Sequence, residues 1–500
     1  MSSLKKNVVF NLFGKTWGAI INIILVPLYI KYLGIESYGL IGFFAMLVGS
    51  FSILDLGLGT TINRELAGYR AVENPNADNI RNLTFSLESI YWSVGIVIGL
   101  LVAVLSGLIA VHWVNVEELS ADTVRNAVLL MGGVLVFQWP INYYNHGLTG
   151  LEKLVVNNTI LIVMTTVRSV GALLVLSYIS PTITAFFAWQ AGTSFLHVFL
   201  MRWALWSNLP KSKSRRIFSK DQLKSVSKFA AGMTGISLVT FFLSHVDKVL
   251  LSKLLSLSAY GYYTLALALP SAITMIISPV CSAFFPRLSA LVKKGDTVEL
   301  KKIYHNSSAI AAALIFPISF ILIFFSYEIL MLWTGDASTT ENTYLVAGLL
   351  TIGSMFNSLM VMPYYLLISH GWTKFTIYQN SIAAVVLVPS LFVLTSMFEA
   401  LGAAIIWATL NIGYFIISQP IMHRTLLKGE LKKWYLKDTL LTMLPSLAVV
   451  LICKFVLVNV ALDFSLLVLI AIALLSLGFS GLAIKKRLSI YDLSKIKLWK

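Results

Sequence analysis

The chain has 500 residues, of which 57% are hydrophobic and only 12% are charged. Soluble domains carry about a quarter charged residues, so this composition excludes a soluble enzyme or a soluble binding module. The formal net charge of +16 would suit a nucleic-acid partner, and the positions of the basic residues must decide that question.

Long apolar segments follow one another along the chain and predict an all-α polytopic membrane protein. A helix needs about 20 apolar residues to cross a bilayer. By that measure we expect about fourteen transmembrane helices, and 12 or 13 stay open. They lie at residues 8–30, 38–62, 86–111, 124–144, 155–179, 182–206, 229–252, 260–286, 306–330, 342–369, 375–397, 401–422, 439–459 and 464–484.

The basic residues gather in alternate loops between these segments. With a cytoplasmic N-terminus, the cytoplasmic segments hold 31 Lys and Arg residues and the external loops hold three, Lys31, Arg125 and Lys253. Positive charge concentrates on the cytoplasmic side of membrane proteins. We therefore predict that both termini and the segments 207–228 and 424–437 are cytoplasmic. The charge is explained by topology, and we expect no nucleic-acid partner.

The sequence lacks the usual patterns of catalytic and metal sites. The seven histidines show no ligand spacing, and Cys281 and Cys453 lie in apolar segments. The predicted external loops are too short to house a catalytic domain. We therefore expect no enzyme activity, no metal and no bound cofactor.

The second half of the chain echoes the first at an offset of 222 residues. Seven residues of the first half, Leu28, Lys31, Leu33, Tyr38, Gly39, Leu47 and Leu66, recur as Leu250, Lys253, Leu255, Tyr260, Gly261, Leu269 and Leu288. Six predicted spans precede the basic segment and six follow it, so both halves have the same orientation. This pattern indicates parallel repeats, a transporter architecture with the substrate site between the halves. A chance likeness between two helical hairpins is the alternative.

The repeat predicts a division of the chain into four parts. Residues 1–206 form an N-terminal six-helix lobe, and residues 207–228 form a basic cytoplasmic linker. Residues 229–422 form a C-terminal six-helix lobe. Residues 423–500 add two transmembrane helices and a basic cytoplasmic tail.

Several short motifs resemble those of bacterial polysaccharide-biosynthesis transporters. They are Pro27–Gly39 (PLYIKYLGIESYG), Leu54–Gly59 (LDLGLG), Asn63–Ala67 (NRELA), Asp247–Leu251 (DKVLL) and Tyr260–Ala266 (YGYYTLA). Such proteins are flippases of lipid-linked O-antigen or exopolysaccharide units, within the multidrug/oligosaccharidyl-lipid/polysaccharide exporter superfamily. The resemblance covers about residues 1–430.

The resemblance implies a fold, a substrate and a location. The fold would be two six-helix lobes related by pseudo-two-fold symmetry that work by alternating access. The substrate would be an undecaprenyl-diphosphate-linked oligosaccharide, moved from the cytoplasmic to the periplasmic leaflet of the bacterial inner membrane. Membrane lipids and other polysaccharide assembly proteins would be its partners.

Charged side chains inside predicted spans are costly and usually functional or paired. Arg168 lies about twelve residues from either end of the fifth span, some 18 Å deep at about 1.5 Å per residue. Lys15 and Asp55 reach similar depths from opposite ends of neighbouring spans and could pair. We expect Arg168 to bind an anionic lipid-linked glycan, with Lys15 and Lys248 as lesser contributors. A salt bridge from Arg168 to an acid on a neighbouring helix is the alternative.

The remaining charged residues divide into a cluster and a set near span ends. His245, Asp247 and Lys248 cluster on the seventh span, and we expect Asp55, Asp247 and His245 to couple ions or gate transport. A structural Asp–Lys or Asp–Tyr link is the competing interpretation. We expect His197 to be packed and hydrogen-bonded. Three residues near span ends are expected to reach the interface by snorkelling: Glu88, Glu328 and Lys454.

Flipping of a lipid-linked oligosaccharide is the leading hypothesis. A multidrug or small-solute antiporter on the same scaffold is the first rival, although an acidic cavity would suit cationic drugs better than Arg168. A polytopic oligosaccharide polymerase or glycosyltransferase is less favoured because it would need a large external loop. A non-transporting scaffold stays open. The glycan is not encoded in these patterns, and protons, sodium ions and the membrane potential all stay open as the source of coupling.

Overall fold

A computed structural model describes most of the chain. Its backbone is described at residues 3–55, 57–71, 76–212, 214–460 and 465–488. Within the helices, the side chains at 3–16, 19, 70–71, 228–244, 373, 460 and 486–488 are outside this description. The described backbone is helical almost throughout and has no β-strand, which confirms the predicted all-α polytopic fold.

The chain divides into two compact units, Met1–Gly261 and Tyr262–Lys500. In the described part of the first unit, eight helices begin: α1 (Ser3–Phe51), α2 (Leu58–Ala71), α3 (Ala77–Leu108), α4 (Ala121–Gly150), α5 (Leu154–Tyr178), α6 (Ile183–Asn208), α7 (Lys220–Leu254) and α8 (Leu257–Lys294). The helix α7 packs on α1, α2 and α3. The predicted lobe and linker boundaries at 206, 228 and 422 stay a prediction.

Nine further helices begin within the described residues of the second unit. They are α9 (Thr297–Phe324), α10 (Ser326–Thr334), α11 (Ala337–Leu359), α12 (Val361–Ser369), α13 (Thr373–Gly413), α14 (Gln419–Leu426), α15 (Leu431–Lys433), α16 (Leu441–Val460) and α17 (Leu466–Leu488). Two π-helical turns, Tyr414–Ser418 and Trp434–Leu440, lie before α14 and α16.

Polar residues mark where many of these helices begin. Ser, Thr, Asn and Asp side chains accept first-turn backbone N–H groups that have no partner within the helix. Caps of this kind are Asn76, Ser120, Thr182, Ser219, Asp296 and Asp336. At the start of α11, hydrogen bonds from Thr339 hold the pKa of the Asp336 carboxyl below its usual value. The helix starts are therefore written locally in the sequence.

Two of the long helices are each a pair of spans joined at a bend. Gly34 in α1 has φ +78°, and Glu399 in α13 has φ +48°, a region that residues other than Gly seldom adopt. Among the described residues, eleven segments are long and apolar enough to cross a membrane. Two of these, Ile20–Asp55 and Lys374–Leu426, contain the bends. Counting both arms of each bent segment gives thirteen spans among the described residues. The helix α7, predicted as the seventh of fourteen spans, is not among them, and most side chains of its apolar part lie outside the described residues.

The core of the second unit forms around α9. Large side chains that are almost fully buried there include Tyr304, Phe316, Phe325 and Trp434. The helices α11, α16 and α17 all pack on α9. Within a bilayer such association depends on close packing and hydrogen bonds, because lipid is as apolar as the side chains.

The repeated Tyr-Gly motifs meet at a close backbone crossing in the first unit. A Cβ added to Gly39 would lie 2.3 Å from the carbonyl oxygen of Leu257. A Cβ added to Gly261 would lie 2.4 Å from the carbonyl oxygen of Ile35. The two contacts are reciprocal, because each glycine faces the residue four positions before the other glycine. The offset of 222 residues therefore relates both partners of both contacts.

The segment between α3 and α4 stabilises this crossing through hydrogen bonds. The carboxylate of Glu36, which is 4% exposed, accepts hydrogen bonds from three successive backbone N–H groups of Glu117–Leu119 at 2.6, 2.9 and 2.9 Å. The side-chain amide of Asn115 donates to the carbonyl of Lys253 at 2.8 Å, and the backbone carbonyl of Asn115 accepts from the N–H of Leu257 at 2.8 Å. These bonds hold α1, the end of α7 and the start of α8 together.

We expect Gly261→Ala to destabilise the protein by about 1–3 kcal/mol, because the added methyl group would collide with a backbone oxygen that cannot rotate away. The midpoint of thermal unfolding in detergent would measure the loss. Gly133→Ala in α4 is the matched control, because open space surrounds that position and alanine is the better helix former. Equal midpoints for the wild type and Gly261→Ala would contradict the close crossing.

Candidate functional site

Arg168 lies in the interior of α5, ten residues before the end of the helix. Neighbouring helices fix the backbone on both sides of it. The Tyr29 hydroxyl donates to the carbonyl of Ser169 at 2.7 Å, and the Trp189 indole donates to the carbonyl of Arg168 at 3.1 Å. The aromatic ring of Trp189 lies so close to Gly171 that a Cβ there would be 2.2 Å away. The position of Arg168 is therefore set by α1 and α6.

The charge of Arg168 faces an uncharged phenol and an imidazole. Its electrostatic neighbours are Tyr29 and His197. Within the described part of the chain, no acid forms an ion pair with Arg168. The alternative of a structural salt bridge thus finds no partner among these residues. The binding role of Arg168 stays a prediction.

His197 is packed, as expected, but one of its ring nitrogens is not hydrogen-bonded. The residue is 7% exposed. Its Nε2 is buried without a hydrogen-bond partner among the described residues. An unpaired buried nitrogen costs free energy, so it marks the space beside Arg168 as a place where a polar group would be bound favourably.

Asp55 ends the short helical turn Ser52–Asp55, directly before α2. It accepts a short hydrogen bond from the Tyr91 hydroxyl and further bonds from the backbone at Gly57 and Gly59. His146 lies on the other side, where its Cδ2 would be 2.5 Å from a Cβ on Gly59. A carboxylate at the start of a helix also matches the helix dipole.

The predicted pairing of Asp55 with Lys15 lies outside the described residues, because the side chain of Lys15 is not part of them. The partners that the structure gives to Asp55 are Tyr91 and His146. Neither partner was predictable from the sequence, since a Tyr and a His in apolar helices carry no signal of what they face.

The cluster on α7 is brought together as predicted. The Nζ of Lys248 lies 3.9 Å from a carboxylate oxygen of Asp247, and Tyr260 is an electrostatic neighbour of Asp247. The ring of His245 packs on α1, with its Cε1 2.6 Å from a Cβ built on Gly49. Both the Asp–Lys link and the Asp–Tyr proximity that the structural interpretation requires are present. The coupling roles of Asp247 and His245 stay predictions.

A buried charge network around Glu88 was not predicted. Glu88 is 3% exposed, so the expectation that it snorkels to the interface is wrong. Its Oε1 accepts from Nε of Arg202 at 2.7 Å and from the hydroxyl of Tyr144 at 2.6 Å, and the Trp206 indole donates to both carboxylate oxygens. Burial without these donors would be prohibitive, so the network is what allows the acid to lie inside.

Glu328 and Lys454 also pair with each other. Their side chains form a short salt bridge, and the ammonium group of Lys454 lies 4.8 Å from the centre of the Phe325 ring. Both side chains are only part-buried, so their pairing is compatible with snorkelling, which stays a prediction for these two residues.

Comparisons with known proteins agree on the family and the fold. The family model described as "Polysaccharide biosynthesis protein" matches residues 4–292, and the MatE model matches residues 233–394. A Shigella flexneri protein named "Putative O-antigen transporter" is 23% identical over 407 residues, which cover 81% of this chain and 94% of that protein.

Solved structures of low sequence identity share the fold. The inward closed conformation of the lipid II flippase MurJ superposes with a TM-score of 0.71 at 14% identity, covering 96% of this chain and 99% of that one. An inward-facing multidrug resistance transporter of the MATE family gives a TM-score of 0.59 at 13% identity, covering 85% and 96%. These likenesses extend over nearly the whole chain.

We expect Glu88→Gln to cost about 3 kcal/mol or more of folding free energy, because three donors would face an amide and Arg202 would lose its counter-charge. Thermal unfolding in detergent would measure it. Glu65→Gln is the matched control, because the Arg64–Glu65 pair is largely exposed and such pairs contribute about 0–1 kcal/mol. Equal losses in the two variants would disprove the buried network.

Proposed function

Because the chain belongs to the polysaccharide biosynthesis protein family, we propose that it flips a lipid-linked glycan across the membrane that it spans. The family is one of transporters, and the chain is a multi-pass membrane transporter rather than an enzyme. The name of the Shigella flexneri relative supports an O-antigen-type cargo.

The proposed cargo is an undecaprenyl-diphosphate-linked oligosaccharide, either an O-antigen or an exopolysaccharide repeat unit. It moves from the cytoplasmic to the periplasmic leaflet of the bacterial inner membrane by alternating access. Membrane lipids surround the protein, and other polysaccharide assembly proteins supply and consume the cargo. The observation that carries this proposal is Arg168, a fixed cation inside α5 without an acid partner among the described residues.

Arginine suits the diphosphate for physical reasons. At least two negative charges must enter a region of low dielectric, and uncompensated charge there is prohibitively unfavourable. The guanidinium group stays charged when buried and holds phosphate through two parallel hydrogen bonds. Tyr29 and Trp189 fix the neighbouring backbone, so the cation meets the cargo with little reorganisation. Lys15 and Lys248 are proposed as lesser cationic contributors.

A drug antiporter is the second candidate, because the MatE model matches residues 233–394. The two candidates differ in what a deletion strain does. Loss of a flippase leaves a lipid-linked glycan on the cytoplasmic face, whereas loss of an antiporter raises sensitivity to cationic compounds. If the deletion strain lacks one of these two phenotypes, or if the wild-type gene does not reverse it, the corresponding function is excluded.

We further propose that protons or sodium ions, or the membrane potential, drive transport, and that Asp55 or Asp247 carries the ion, with His245 beside Asp247. Asp55 faces His146, and Asp247 faces Lys248, so each carboxylate has a basic neighbour that would respond to its charge. We expect Asp55→Asn or Asp247→Asn to abolish ion-dependent transport while the protein still reaches the membrane. Uptake of labelled cargo under imposed pH and sodium gradients measures this. Normal gradient dependence in both variants would make these residues structural.

We expect Arg168→Ala to reduce flipping about 10- to 100-fold, the usual effect of losing one or two hydrogen bonds to a charged group. Arg168→Lys should keep part of the activity, because it retains the charge and loses the two-pronged geometry. Complementation of the deletion strain, scored by glycan at the cell surface, measures both. Arg125→Ala is the control, since Arg125 is an exposed arginine in the first turns of α4. A fully active Arg168→Ala variant would sink the proposed role.

A further inference from the structure

A buried histidine lies between two carboxylates in the second unit. His305 on α9 is 1% exposed. Its Nε2 lies 3.0 Å from Oε2 of Glu430, and its Nδ1 makes a short contact with Oδ2 of Asp438, which is fully buried. Glu430 directly precedes α15, and Asp438 lies in the π-helical turn that leads into α16. The cluster therefore connects α9 to the segment that leads into the last two helices, α16 and α17.

These two contacts cannot both be hydrogen bonds without an additional proton. Each nitrogen–oxygen contact needs one hydrogen between its two atoms. A neutral imidazole carries one hydrogen, and an ionised carboxylate carries none. Two contacts across one ring therefore need either an imidazolium ion or a protonated carboxyl group. Without that proton, a nitrogen lone pair would face a carboxylate oxygen in a buried site, which is repulsive.

His423 on α14 shows that this demand is specific to His305. Its Nδ1 lies 2.9 Å from the carbonyl of Gln419, and its Nε2 lies 3.3 Å from the hydroxyl of Tyr304. A neutral ring satisfies both contacts by donating to the carbonyl and accepting from the hydroxyl. The two histidines lie in one neighbourhood, and only His305 faces an acid at each nitrogen.

The surrounding charges decide which carboxylate keeps its negative charge. Burial alone would raise the pKa of Glu430, but Lys301, Lys433 and His305 together lower it to about 2. The Nζ of Lys301 lies 3.0 Å from Glu430, and that of Lys433 lies 3.5 Å away. Glu430 is thus an ionised acceptor, and the additional proton belongs to the contact between His305 and Asp438.

The titratable and charged groups in and around this cluster come from four segments. They are Lys301 and Tyr304 from α9, His423 from α14, Glu430 and Lys433 at α15, and Tyr435 and Asp438 from the π-helical turn. Among the described residues, the hydrogen bonds between α16 and α17 join uncharged groups, such as Ser446 and Ser476 at 2.8 Å.

We propose that His305, Asp438 and Glu430 form a proton-binding site that holds the last two helices on α9. With the proton bound, His305 is hydrogen-bonded to both carboxylates and holds the π-helical turn against α9, a state that we call latched. When the proton leaves, one contact becomes repulsive and the latch weakens. The ratio of latched to unlatched protein then falls about tenfold for each pH unit above the midpoint, as one bound proton requires. The site lies on the predicted cytoplasmic side and is independent of the cargo.

Isosteric amides give a sharp test, because an amide carries the missing hydrogen permanently. In Asp438→Asn, a neutral His305 would accept from the amide at Nδ1 and donate to Glu430 from Nε2. This variant should stay latched at every pH. Glu430→Gln follows the same logic with the ring tautomer reversed, and it replaces the first variant if that does not fold. His423→Gln is the matched control and should behave as the wild type.

The measurement is the distance between spin labels on α9 and α17 of the full chain in nanodiscs. Cysteines at Val298 and Leu482, both exposed, would carry the labels after Cys281 and Cys453 are replaced. We expect one short distance at about pH 6 and a second, longer population at about pH 9 in the wild type. The amide variant should show the short distance at both. A wild-type distance distribution that is the same at both pH values would overturn the proposal. So would an amide variant whose distances still change with pH, or a His423→Gln variant whose distances do not change.

Discussion

A charge inside an apolar helix bundle must be paired, and this constraint explains most of the polar architecture of the protein. Glu88 is compensated by Arg202 and by two further donors, the Tyr144 hydroxyl and the Trp206 indole, and Glu328 is compensated by Lys454. Because replacing either partner would leave a buried charge alone, these pairs fix helices that are far apart in sequence. Arg168 differs, since its described neighbours are uncharged or share its sign when protonated. A cation held in place without an internal counter-charge is suited to an anion that comes and goes.

Close backbone contact supplies a second constraint within the first unit. Gly39 in α1 lies so close to α8, and Gly261 in α8 so close to α1, that any side chain at either position would collide with a backbone carbonyl oxygen. Small residues permit this approach, and the resulting packing replaces a hydrophobic driving force that a bilayer does not provide. The Glu36 and Asn115 hydrogen bonds then hold the crossing from outside the helices.

Local signals in the sequence predicted much of the fold. Apolar length predicted a polytopic bundle of membrane-spanning helices, and polar caps such as Asn76 and Asp336 lie where the helices begin. Charge pairing was harder to predict because Glu88 and Arg202 are 114 positions apart, and His305 and Asp438 are 133 apart. Distance along the sequence says nothing about which helix faces which. Snorkelling was therefore the natural expectation for Glu88, and packing overrode it. Arg168 was identified because its depth in a single helix is a local property.

Reconstitution of the purified protein into vesicles tests the central claim, that this chain flips a lipid-linked glycan, most directly. Undecaprenyl-diphosphate-linked oligosaccharide would be placed in both leaflets, and an impermeant glycosidase would be added outside. The account predicts that vesicles with the protein expose nearly all of the glycan to the enzyme over time. Protein-free vesicles should expose only the outer-leaflet share. Folded protein that leaves the inner-leaflet glycan protected, under proton, sodium and potential gradients alike, would contradict it.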